Sequence, residues 1–129
     1  MKLSKKDRIN IWNKFDKHCA YCGMTIELKE MQVDHIKPIG RGLSKEFRKL
    51  NKIDGTDSFD NYNPSCRQCN FRKGMLTLEE FREAIFKGIE VLSKNFTFRM
   101  IMKYQLIRFT YKEVEFYFEK FNKEKNNES

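Results

Sequence analysis

Apolar residues near the start of the chain recur at helical intervals. Ile9, Ile11, Trp12 and Phe15 form one face, and Ser4 with Asp7 three residues later gives a capping-box-like start. A first helix ending near Lys17 follows. Residues 31–36 alternate between apolar and polar and predict a short strand, stopped by Pro38, Gly40 and Gly42. Residues 43–58 are a polar connection with a helical piece over 45–50 and a turn at Gly55-Thr56-Asp57. A helix is expected to start closely after Cys69. Thr77 and Glu80 form a capping box, and Leu78, Phe81, Ile85, Ile89 and Leu92 carry one helix through Leu92. Residues 96–109 are apolar, aromatic and basic and are read as helix. Residues 113–119 alternate with period two. Thr110 and Glu113 also offer a helix cap, but the aromatic content favours a strand. Residues 122–129 are polar and expected to fray.

Composition narrows the class. The 129 residues suit one domain, with a core at about 8–85 and an extension at about 96–121. Twelve Phe, five Tyr and one Trp supply bulky core material. The extension's many aromatics are read as core rather than as a partner surface. Net charge is +8, from 26 Lys and Arg against 18 Asp and Glu. That excess suits a polyanionic partner, since each cation placed on a phosphate releases a counterion. The opening MKLSKKDRIN has no apolar core of a signal peptide, and no apolar run approaches membrane-spanning length. A cytoplasmic location without membrane partners is expected. Four cysteines in a reducing compartment point to metal rather than disulfides.

The cysteines form two CxxC pairs, Cys19 with Cys22 and Cys66 with Cys69. A two-residue spacer turns both thiolates of a pair toward one ion, and two pairs complete a closed tetrahedral site for one structural zinc. The redox use of a CxxC wants a βαβ pattern, which is missing here. His18 beside Cys19 is expected at the surface, because four sulfurs already fill the site. The 43 residues between Cys22 and Cys66 exceed an ordinary zinc-ribbon gap, so the zinc staples the ends of an inserted unit.

That unit carries Asp34-His35, then Pro38 and Gly42, then Asp60-Asn61-Tyr62, Cys69-Asn70 and Lys73-Gly74. The run of CAYCG, VDHIKPIGRG, DNYNPSCRQCN and FRKG resembles the HNH nuclease family over about residues 8–85. The third position of the family name is often His and here is Asn70. Asn also stands there in active members, including the HNH domains of RNA-guided DNA nucleases. The resemblance implies an α+β fold with a ββα-metal (His-Me finger) core. In it a hairpin carries Asp34 and His35, a loop carries Asn61, and a helix carries Asn70. The knuckles clamp its ends, with flanking helices and a C-terminal helix or strand.

The resemblance also implies an endonuclease that hydrolyses DNA phosphodiesters with one catalytic divalent ion. His35 is the expected general base, since imidazole ordinarily titrates near ~6.5. Asp34 and the Asn70 carbonyl are expected to hold the ion. Their hard oxygen donors favour Mg2+ or Mn2+. Asn61 is expected to hold the loop facing His35 and orient its imidazole. Successive strand side chains point to opposite faces. The resemblance therefore implies a distortion that lets Asp34 and His35 reach one phosphate. Arg41, Arg67, Arg72 and Lys73 are candidate phosphate contacts, with DNA the expected partner and RNA still open. Compact proteins of this kind resemble phage, mobile-element or restriction nucleases. The alternatives are a non-catalytic zinc-stabilised nucleic-acid-binding module, which needs none of Asp34, His35 and Asn70, and a structural zinc adaptor for protein partners.

Overall fold

Ser4 accepts a hydrogen bond from the Asp7 backbone and Asp7 returns one to Ser4, so the expected capping box opens α1 (Lys5–Trp12). The computed structural model describes residues 2–127. One turn of 3-10 helix, Asn13–Phe15, extends α1 and drops Phe15 into the core. The first knuckle then leads into β1 (Gln32–His35). A long connection carries α2 (Lys45–Leu50) and returns as β2 (Tyr62–Ser65). The two strands are antiparallel, pairing Asp34 with Asn63 and His35 with Tyr62. Cys66 caps α3 (Arg67–Lys73) by accepting from the Cys69 backbone N–H. The order β1, β2, α3 is the ββα unit the sequence implied, within an α+β fold.

Two expectations about helices are corrected. The helix foreseen from Thr77 through Leu92 is two pieces, α4 (Leu78–Phe86) and α5 (Gly88–Leu92). Gly88 at the break is a poor helix former. Residues 96–109 are helical only as α6 (Phe96–Lys103). The strand foreseen over 113–119 is also absent. The chain is irregular there until α7 (Tyr117–Asn127). Glu119 decides this locally. Its carboxylate accepts from the Phe116 backbone N–H at 2.9 Å and pairs with Arg82 at 2.7 Å, capping the first turn. Helical spacing then sets Tyr117, Phe118 and Phe121 beside the core. Residues 122–127 of the expected frayed tail are helical, and residues 128–129 lie outside the described residues.

The core is aromatic and centred on the first knuckle. Tyr21, between Cys19 and Cys22, meets Phe81 and Phe116 edge-on at 5.4 and 5.3 Å. Phe15 packs on Phe118 and Phe121. The start of α7 lies on the knuckle, where Tyr117 and Phe118 donate backbone hydrogen bonds to Tyr21 and Ala20. The extension thus divides. Residues 114–121 seal the core as expected, whereas residues 91–112 contribute only Phe98 to the buried set. Among the described residues no helix is long and apolar enough to cross a membrane.

Candidate active site

The two knuckles fix the ends of the ββα unit. Gly23 takes a φ of +81°, which closes the first knuckle as its sequence suggested. The four sulfurs of Cys19, Cys22, Cys66 and Cys69 lie within 4.8 Å of one another, positioned to bind a metal ion. Tetrahedral zinc at a Zn–S distance of about 2.3 Å separates its sulfurs by about 3.8 Å. Cys22 and Cys66 stand 3.9 Å apart, so the cluster fits that ion. Its electrostatics want a cation too. A hydrogen bond with Cys69 holds the Cys19 thiol down to about 4. Burial pushes Cys22 up to about 11, and the hydrogen bond with Cys19, with burial behind it, pushes Cys69 higher still. Four thiolates this close are self-repelling unless a cation compensates them. His18 stays outside the cluster, with Nδ1 3.2 Å from the Phe15 carbonyl and its ring stacked on Tyr117.

β1 sends its two chemical side chains to different surroundings. Asp34 is only 4% exposed. It accepts from the Tyr21 hydroxyl, and Lys73 approaches both its oxygens, at 3.1 and 3.3 Å. Lys73 also donates to the His35 carbonyl at 2.8 Å and is fully buried. Its expected place among the phosphate contacts is therefore corrected. At the end of α3 it points into the protein because Asp34 is the charge that compensates it there. Burial drives the Asp34 carboxyl above its usual range and the Lys73 ammonium below its own, while their attraction opposes both shifts.

His35 is half-buried on the other face, its side chain 30% exposed. Nε2 lies 2.9 Å from an oxygen of Asp57, and the Tyr62 ring stands edge-on at 5.2 Å. Arg41 holds the same Asp57 with two hydrogen bonds, 3.0 and 2.8 Å long. The hydrogen bonds from Arg41 and then His35 hold the Asp57 carboxyl down at about 2.

Asp57 is the residue sequence reasoning missed. It had been read only as part of a turn. Asn61 does not touch the imidazole. Its amide accepts from the Lys37 N–H and donates to the Lys37 and Thr56 carbonyls, tying the chain beyond His35 to the chain before Asp57. Gly55 makes that closure possible, since a Cβ there would sit 1.8 Å from the Lys37 carbonyl oxygen. A glycine just ahead of an acid in the loop facing His35 was the available signal.

Asn70 is half-buried on α3, and its amide makes no hydrogen bond among the described residues. Asp34, His35 and Asn70 border one cleft of about 230 Å³, closed by Pro38, Ile39 and Gly74. A carboxylate and an uncommitted amide on one cleft fit a hard divalent ion. Arg67 and Arg72 are exposed on α3, and Arg41 is exposed while engaged with Asp57.

Residues 19–75, somewhat under half of the chain, match the family model described as HNH endonuclease. No curated protein sequence matches the chain. Among solved structures, the chain is similar to the Type II-C Cas9 enzyme from Actinomyces naeslundii. The TM-score is 0.50 at 23% identity, over 66% of this chain and 9% of that one. This chain thus spans a small part of that protein's length, and the likeness is one of fold. The family match supports a nuclease of the HNH type.

Proposed function

We propose that the chain is a metal-dependent HNH endonuclease that hydrolyses DNA phosphodiester bonds, with His35 as general base and one structural zinc on the four cysteines. The observation that carries this reading is the cleft bordered jointly by Asp34, His35 and Asn70. A divalent ion held by Asp34 and Asn70, Mg2+ or Mn2+ by donor type, would supply charge neutralisation at the phosphate oxygens.

The chain's own residues do the rest. Asp57 is a carboxylate and can only accept, so His35 Nε2 carries the proton between them. Nδ1 of the neutral imidazole then bears the lone pair. It takes the proton of the attacking water as the new P–O bond forms and the bond to the leaving oxygen breaks. Asp57 pairs with the imidazolium produced, and Arg41 keeps Asp57 ionised. Asn61 positions both sides of this contact without touching substrate. Arg67 and Arg72 meet flanking phosphates.

One observation favours the binding-module alternative. Lys73 and Tyr21 already engage both Asp34 oxygens, which leaves the carboxylate compensated without a second cation. Incubation of supercoiled plasmid with the zinc-loaded protein separates the two. The nuclease reading expects nicked or linear product with Mg2+ or Mn2+ and none with a chelator present. Retarded but uncut plasmid under every divalent ion would leave only the binding module.

A further inference from the structure

We infer that residues 91–112 form a second nucleic-acid surface, one that grips an unpaired strand. This rests on the nuclease reading for its setting. The observations that carry it lie outside the HNH segment.

The stretch of 22 residues holds Lys94, Arg99, Lys103, Arg108 and Lys112 and not one acid. All five cations are exposed. The rest of the chain is far more balanced, with 21 cations (26 less these five) against 18 acids. Three large rings stand in solvent among the cations, Phe96 and Tyr104 at 68% and Tyr111 at 71% exposure. On α6, Phe96, Arg99 and Lys103 fall at i, i+3 and i+7 and share one face. The Arg99 guanidinium lies 5.9 Å from the Phe96 ring centre.

The region is ordered by its own contacts. Asn95 caps α6 through the Phe98 N–H, and Phe98 packs on Phe109 at 5.3 Å. Buried Phe98 thus anchors a face whose outward side is cationic and aromatic.

Cations at intervals suit a phosphate backbone, and solvent-facing rings suit bases that are not already stacked in a duplex. A duplex would use the charges and leave the rings idle. The same face of a second copy would bring like charges together. An anionic membrane surface shares the charge argument but offers nothing to stack on flat rings.

The test uses the whole 129-residue chain, zinc-loaded and carrying His35→Ala so that binding is read without cleavage, and fluorescein-labelled oligothymidylate read by anisotropy. Arg99→Ala/Lys103→Ala/Arg108→Ala should lower the slope of log affinity against log salt by about 2, at about 0.7 per single-strand phosphate. Tyr104→Ala/Tyr111→Ala should weaken binding at least about 5-fold per ring, with less effect on a duplex of equal length. Zinc content and thermal unfolding should match the parent in both, since these side chains are exposed.

Unchanged oligothymidylate affinity in both variants overturns the inference. So does loss confined to phosphatidylserine vesicles or to self-association. Equal aromatic loss on duplex and single strand overturns the assignment to unpaired bases. The nuclease reading fails separately. A wild type that cuts plasmid while both variants bind like the parent keeps the nuclease and sinks the second surface. Arm-dependent binding by a protein that cuts nothing does the reverse.

Discussion

The two faces of β1 are built in opposite ways from adjacent residues. On the inner face Asp34 is buried against Lys73 and the Tyr21 hydroxyl. On the outer face His35 is half-exposed and leans on Asp57, which Arg41 holds in turn. The inner ion pair must overcome the cost of taking two charges out of water, and breaking it strands a charge. The outer one is only half-buried and partly screened by solvent, so it contributes less to stability. Strand alternation is the cause, since one residue of register separates a dry carboxylate from a wet imidazole. On the proposed reading the inner face carries the fold and the metal ligand Asp34, and the outer face carries the general base His35.

The most severe way to break the inner face is through the four-cysteine cluster that ties the Tyr21 knuckle to α3. Cys66→Ser should lose the metal and cooperative unfolding together, because structural zinc contributes on the order of 10 kcal/mol to folding. Elemental analysis and a melting curve check this. Folded protein without zinc would refute the staple.

Lys73→Met comes next. It leaves Asp34 buried without its cation and should cost about 3–5 kcal/mol in urea denaturation. A neutral result would mean that Asp34 is protonated inside the fold. Tyr21→Phe keeps the ring packing and removes the hydrogen bond donated to Asp34 together with the longer one accepted from Asn63 Nδ2. A loss of about 1.5–3 kcal/mol is expected from the same measurement.

The outer face should respond least in stability. Asp57→Asn should melt close to wild type yet cleave more slowly, because the amide no longer fixes the proton on Nε2. Its pH signature follows from a depressed carboxyl. The stabilisation from Asp57 is fully present above the unfolded value of about 4 and is lost as pH falls through about 2. NMR titration of the wild type should show the Asp57 carboxyl moving in that window, and in Arg41→Ala at higher pH. An Asp57 carboxyl that titrates at about 4 in the wild type would mean that its hydrogen bonds are absent in solution.

Which parts were legible follows from the range of the interactions that make them. Capping boxes at Ser4 and Thr77 and the CxxC knuckles are local, and all form as read. The contact between His35 and Asp57 spans 22 residues and depends on Gly55 fitting under a carbonyl, which no periodicity records. Lys73 looked like a phosphate contact because lysines are almost never fully buried. Its partner lies 39 residues away. Residues 113–119 carry both a period-two pattern and a helical one. The link from Glu119 to Arg82 chose the helix.

The division of labour on β1 is tested most directly by His35→Ala, with plasmid cleavage measured under saturating Mg2+ beside zinc content, melting temperature and DNA affinity. A general base is worth about 10²–10⁴-fold in rate. With His35 as the base, a loss of that size is expected while the other three readouts stay unchanged. Cleavage as fast as wild type would contradict it.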